Sequence, residues 1–259
     1  DGGSESNTGK CPVQGIAAAT NAATRSTRTV VERLVKRGEL STDDIEESVG
    51  TLLMAGVDTT AYFMGWLYIN LASNSRAQAE LAKELHNVLK GEDLTTVEQM
   101  NALPYLRACL RETHRLTPVT PMTLIRRMKM DIDLGGYTVK AGQKLSLNLR
   151  AFPMNPKYVE SPHEFRPERF MPAAVSERKG TPSEVIDHPF FNDPFGTGSK
   201  RICLGARVAD AEIMCSAARL FHDWEIMLDG QDQEWTRKQG LMIKADPFPK
   251  MKVAIRTKW

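Results

Sequence analysis

Three short stretches carry residue types whose spacing could do chemistry. Phe195 to Gly205 reads FGTGSKRICLG and sets one cysteine, Cys203, behind a glycine-rich basic loop and ahead of an amphipathic run, LGARVADAEIM. Lys200 and Arg201 beside it, together with the free N–H groups of a helix start, favour thiolate over thiol. Such a cysteine could be a metal ligand, a nucleophile, half of a disulfide or a packing residue, the last being the common fate of a lone cysteine. Packing needs neither two upstream glycines nor two adjacent cations. A phosphatase-type nucleophile would want a phosphate cradle downstream, whereas LGARVADAE turns straight into helix. Ligation is the reading that remains: Gly205 would let a flat group approach the helix start, and an adjacent cation could hold a carboxylate on that group's edge.

The second stretch is AGVDTT, Ala55 to Thr60, inside a long apolar run. Gly56 costs a helix roughly 1 kcal/mol relative to Ala, and an Asp-Thr-Thr run invites local opening of backbone hydrogen bonds. This polar notch is equally a site or a kink satisfied by neighbouring groups. The third is Glu112 and Arg115, an i,i+3 pair of a kind that decorates many solvated helix faces.

The elements that must position these residues are legible in outline. Val30, Val31, Leu34 and Val35 have helical spacing before a stop at Gly38. Ser41 and Thr42 are N-cap candidates for a long helix running to about Ala72, with Asp43, Asp44, Glu46 and Glu47 at its positive end. Asp58 argues against a membrane span and for a buried core helix. A helix capped by Ser75 buries Leu81, Leu85, Val88 and Leu89 up to Gly91, and Pro104 opens PYLRACLRETHRL, which Pro118 ends. Alternation around Gly135-Gly136 predicts two or three short strands with a tight turn. Phe152 to His188 is an irregular, proline-punctuated connection. The helix after Cys203 is expected to bury Leu204, Val208, Ala211 and Leu220, and Trp224 to Trp259 to form short strands. The fold class is mainly α with a minor antiparallel β-sheet.

With 259 residues, 41% of them hydrophobic and 25% charged, the chain can bury a sizeable core. A net charge of +2 gives no basic footprint for nucleic acid. Cys11, Cys109, Cys203 and Cys215 show no zinc-type spacing. On one helix, twelve residues at about 1.5 Å each would hold Cys203 and Cys215 roughly 18 Å apart, too far to bridge. A reducing compartment fits. Residues 1–24 read as a disordered or loop segment without a signal or transit pattern, exposed by truncation, and 25–259 as part of one domain.

Taken together, the motifs resemble those of the cytochrome P-450 family in its C-terminal part. The Cys203 loop resembles F-x-x-G-x-R-x-C-x-G, the haem-ligand segment. Arg201, Cys203 and Gly205 keep the family spacing, while Phe195 and Gly198 lie one residue further upstream, so Ser199 or Lys200 is expected to bulge. AGVDTT matches the oxygen-binding segment A/G-G-x-D/E-T-T/S. Glu112 and Arg115 match E-x-x-R, and SPHEFRPERF resembles P-x-x-F-x-P-E-R-F. The resemblance implies a haem-thiolate monooxygenase with haem b (iron protoporphyrin IX), its iron ligated by Cys203. It places the Thr59 hydroxyl on bound dioxygen and makes Asp58 a proton relay. It gathers Glu112, Arg115 and Arg169 into a buried structural cluster, and it sets Arg126, or Arg127 one register away, and Arg201 on the haem propionates.

The implied partners are a small lipophilic substrate, sterol-like or other in the mitochondrial-type branch, and a ferredoxin or flavoprotein reductase. Arg107 and Arg111 share a helix face, which reads as a solvated basic face and which mitochondrial-type members use to dock ferredoxin. That branch implies the mitochondrial inner membrane, with the endoplasmic reticulum membrane as the alternative and attachment through a region before this chain. A truncated or degenerate haem-binding protein without turnover is the competing expectation. His114, inside the E-x-x-R helix, reads as a surface or packing residue.

Overall fold

The computed structural model describes residues 29–123, 125–196, 202–230 and 234–257. The 1–24 segment, Gly198, Ser199, Lys200 and Arg201 lie outside the described residues. The chain divides into two units, Asp1–Ala55 and Gly56–Trp259.

Helix α1 (Val30–Arg37) belongs to the first unit and is closed at both ends by local chemistry. The Thr29 hydroxyl accepts from Glu32 N while the Glu32 carboxylate accepts from Thr29 N, and Gly38 ends the helix at φ 66. Helix α2 (Thr42–Ala72) starts in the same way: Ser41 Oγ accepts from Asp44 N at 3.1 Å, and the Asp44 carboxylate takes Ser41 N–H at 3.2 Å. Its 31 residues run unbroken through the AGVDTT notch. Among the described residues no helix is long and apolar enough to cross a membrane.

In the second unit the core is helical. The C-terminal half of α2 contributes Phe63, Leu67 and Leu71, and α3 (Ser75–Leu89) adds Ala77, Leu81, Leu85 and Leu89. Helix α5 (Pro104–Leu116) adds Leu106, Cys109 and Leu110, and α7 (Ala206–Asp223) adds Ile213, Met214, Ala217, Ala218 and Phe221. Each large side chain so buried contributes about 1.5–3 kcal/mol. Gln78, itself buried, ties α2 and α3 to the following sheet: its amide donates to Leu71 O and Ile226 O and accepts from Ile226 N. A carboxylate from α3 caps α5, with Glu84 accepting from Tyr105 N at 2.7 Å and Leu106 N at 2.9 Å. Those N–H groups have no intrahelical partner at a helix start.

Several boundaries differ from the sequence expectation. Asn74, not Ser75, caps α3, because its Oδ1 reaches Ala77 N. Between Gly91 and Pro104, where the sequence offered no element, stands α4 (Val97–Asn101), nucleated by a Thr96–Gln99 capping box. Helix α2 is buried from Phe63 onward, whereas Leu53, Met54 and Val57 are exposed. The larger correction concerns α7: Leu204 and Val208 are 84% and 61% exposed, and the core takes the Ile213, Ala217 and Phe221 face instead. The first turn of α7 thus looks away from the core and towards the cysteine side.

The sheets are small and antiparallel, in keeping with the predicted class. Strands β1 (Arg126–Arg127) and β4 (Lys144–Leu145) pair, as do β2 (Ile132–Leu134) and β3 (Tyr137–Val139). The second pair turns through Gly135 and Gly136 at φ 59 and 87, a two-residue turn with both φ positive that favours glycine. Near the C-terminus β5 (Trp224–Leu228) pairs with β8 (Met251–Ile255), and β6 (Thr236–Gln239) with β7 (Ile243–Asp246). Trp66 of α2 donates its indole N–H to Ile243 O at 2.9 Å and so fastens the last hairpin to the long helix.

The connection from Phe152 to His188 is ordered by a buried ionic cluster. Glu112 and Arg115 of α5 are fully buried and make a fork-to-fork pair at 2.7 and 2.8 Å. Arg169, in a short 3₁₀ helix (Pro167–Phe170), donates to Glu112 Oε1 at 3.1 Å, and Arg166 N adds a fourth donor at 3.0 Å. The rest of the Arg115 guanidinium donates to Pro153 O, Pro162 O and Glu164 O. Replacing Arg115 by Ala strands a buried carboxylate and should cost about 3–5 kcal/mol in urea unfolding. Arg115→Lys should lose most of the same stability, since an ammonium cannot occupy the fork and three carbonyls at once. A lysine variant unfolding at the wild-type urea midpoint would show that charge alone matters.

Candidate functional site

Helix α7 has Gly205 at its N-cap, so no side chain caps the N–H groups of its first turn, of which that of Ala206 turns back to Cys203 O at 3.4 Å. Cys203 stands there, exposed, with its backbone N–H donated to Phe195 O at 2.9 Å. That bond closes the loop on which Phe195 and Cys203 sit. Exposed apolar side chains flank the thiol: Ile202, Leu204 and Val208. A Cβ placed on Gly205 would meet only the Cys203 sulfur, at 3.9 Å. The thiol therefore stands on an apolar ledge with room above the helix start for a flat, largely apolar group.

The donor set suits haem. Among the described residues no group of three or more His, Cys, Asp or Glu side chains gathers as a metal site. The iron of a porphyrin brings its ring nitrogens with it and asks one thiolate of the protein, which Cys203 can give. The other described cysteines are poor candidates. Cys109 is fully buried, and desolvation with the neighbouring carboxylates Glu84, Glu168 and Glu112 holds its thiol well above the ordinary value. Cys215 is part-buried, its Sγ 3.5 Å from Leu94 O, and burial also raises its pKa.

The remaining predicted residues fall in different settings. Glu112, Arg115 and Arg169 come together as the resemblance implies. Asp58 is exposed on α2, and Thr59 Oγ1 lies 3.5 Å from Gly56 O, at the outer limit of a hydrogen bond to its own helix. The helix is continuous through the notch. Arg126 and Arg127 are both exposed on β1, paired across from Leu145 and Lys144, and among the described residues no hydrogen bond or ion pair engages the Arg126 side chain. Arg201 and Gly198 lie outside the described residues. Arg107 and Arg111 are not equally solvated. Arg107 is part-buried and donates to Met100 O and Asn101 Oδ1, while the exposed Arg111 lies 4.2 Å over the Phe170 ring.

Phe63, which the sequence did not single out, joins these parts through His114. The His114 ring stacks on Phe63, one helical turn beyond Thr59, with centroids 4.0 Å apart, and meets Phe195 edge-on at 5.9 Å. No spacing rule could have joined Phe63 to Phe195, because they are far apart in sequence and meet only through α5.

Comparison with known proteins follows the same lines. The chain is 30% identical over 216 residues to the 1,25-dihydroxyvitamin D(3) 24-hydroxylase, mitochondrial, of Rattus norvegicus, covering 83% of this chain and 40% of the relative. It is 31% identical over 224 residues to the sterol 26-hydroxylase, mitochondrial, of Oryctolagus cuniculus, covering 86% and 40%. It is 35% identical over 184 residues to cytochrome P450 98A2 of Glycine max, covering 71% and 34%. The chain thus spans about two fifths of the length of these relatives. The profile of the cytochrome P450 family matches residues 13–251, and the chain belongs to that family.

Proposed function

We propose that this chain is the haem-binding part of a haem-thiolate monooxygenase, with Cys203 as the iron ligand. The observation that carries the reading is the exposed thiol on its apolar ledge at the uncapped start of α7. Bound there, haem b would supply reductive activation of dioxygen and the insertion of one oxygen atom into an unreactive C–H bond. Phe195, Gly198 and Gly205 would hold the haem on the Cys203 side, where Gly205 puts no side chain beside the sulfur. Arg126 and Arg201 would hold the propionate carboxylates as charge-assisted pairs. On α2 the Thr59 hydroxyl would donate a hydrogen bond to dioxygen, and Asp58, exposed and able to exchange with water, would return protons to it.

The substrate class is a small lipophilic, sterol-like molecule, as the names of two relatives indicate for those proteins. Electrons come from an acidic ferredoxin that meets Arg107 and Arg111 on α5, in the mitochondrial inner membrane. The endoplasmic reticulum membrane with a flavoprotein reductase is the alternative setting.

The ligand assignment is tested in full-length protein by the reduced carbon-monoxide spectrum. Cys203→Ser should abolish the red-shifted thiolate band, while Cys109→Ser and Cys215→Ser keep it; an unchanged band in the first variant rules Cys203 out. On the distal side, Thr59→Ala should keep its haem but divert reductant from product to peroxide. Asp58→Asn, which removes a proton carrier at constant volume, should slow turnover about 10²-fold or more and shift the peroxide ratio less. Peroxide formed per reductant consumed, at equal haem occupancy, separates these roles; coupling unchanged in Thr59→Ala excludes it from oxygen activation.

A further inference from the structure

Among the side chains the proposed chemistry does not use, His114 makes contacts that packing alone does not explain. It lies on α5 between Glu112 and Arg115, and its ring packs against two aromatic side chains. One face stacks on Phe63 at 4.0 Å with 26° between the planes. The other contact is edge-on to Phe195 at 5.9 Å and 72°. Nδ1 is sealed from solvent and, among the described residues, has no hydrogen-bond partner. Burial pushes the imidazole pKa down to about 3, so the ring is neutral and the stack is one of two uncharged rings. An unsatisfied buried nitrogen costs on the order of 1–3 kcal/mol, which a leucine filling the same space would avoid. What leucine cannot supply is a flat ring able to stack on one aromatic and present an edge to another.

The second link is in the backbone. Phe195, whose ring His114 meets, is also the residue whose carbonyl accepts the Cys203 N–H at 2.9 Å. His114 therefore touches the helical turn that follows Thr59 and, through one residue, the main chain that carries Cys203. Its own backbone is fixed by the buried ion pair on either side.

Resting on Cys203 as the iron ligand, we propose that His114 is a positioning residue: its ring clamps Phe195 against Phe63 and so fixes the Phe195 O···H–N Cys203 bond that holds the sulfur in register. The flat ring acts; the nitrogen does not. His114→Phe should therefore keep the clamp and remove the orphaned nitrogen, whereas His114→Leu should fill the space and lose the clamp.

The test uses full-length, haem-loaded protein and reads the ratio of thiolate to neutral-thiol complex in the reduced carbon-monoxide spectrum, with the melting temperature of each variant alongside. In His114→Leu the ratio should fall about fivefold, the size of one edge-to-face ring contact. In His114→Phe it should stay at the wild-type value, with a melting temperature no lower than wild type. If His114→Leu fails to load haem, His114→Met is read on the same ratio. Equal ratios in all variants overturn the proposal even where melting temperatures fall, because the residue then only packs. An equal fall in the leucine and phenylalanine variants also overturns it, since the nitrogen and not the ring would be acting. A wild-type protein without a thiolate band overturns the Cys203 assignment, and the clamp with it.

Discussion

The buried carboxylate of Glu112 is the point from which much of this chain takes its order. Two guanidinium groups and one backbone N–H converge on it, and none of the three side chains has appreciable access to water. Desolvating such charges is costly, and the cost is recovered only when every donor and acceptor finds a partner. Here the surplus guanidinium N–H groups are directed at carbonyls of residues 153, 161, 162 and 164, in a stretch that has no sheet ladder of its own. The irregular segment and the ion cluster thus solve each other's problem: one needs donors, the other acceptors. The same helix then presents His114 on another side, so a scaffold interaction and a site interaction share one rigid element.

Around that helix the candidate site is divided between parts of unlike character. Helix α7 is a firmly packed base, its core face closed by Ile213, Ala217 and Phe221, while its first turn displays Leu204 and Val208 beside the thiol. Helix α2 is anchored at its C-terminal half and bears the polar notch on its exposed part. Geometry held by packed helices is more exact than geometry held by loops. The cysteine, although on a loop, is held at both ends: by a backbone bond to Phe195 on one side and by helix α7 on the other.

Much of this was legible in the sequence, for identifiable reasons. Helix limits followed capping chemistry and proline, which act over three or four residues, so Gly38, Pro104 and the Gly135-Gly136 turn read correctly. The cluster of Glu112, Arg115 and Arg169 was legible only through the family resemblance, because an i,i+3 pair by itself is as common on wet surfaces. The face of α7 was misread: periodicity finds the apolar stripes of a helix but does not say which one meets the core, and this helix has a second stripe beside the cysteine. The Phe63–His114–Phe195 contact carried no signal at all, since it joins three elements through side chains with no common spacing. Asn74 was passed over for Ser75 because both are good caps and only the Ala77 N–H decides between them.

The ion cluster also bears on how the chain reaches its native state. Helices α2, α3 and α5 follow one another closely and pack as neighbours, so their contacts are cheap in loop entropy and can form early. Glu112 and Arg115 are three residues apart, but their other partners are contributed 38 to 57 residues later in the chain. Until that distant stretch arrives, the Glu112–Arg115 pair has spare donors and lone pairs that only water can satisfy, and burying it beforehand would be unfavourable. Docking of residues 153–169 and the drying of this face of α5 are therefore one event: the face stays wet until the segment that supplies its partners packs on it.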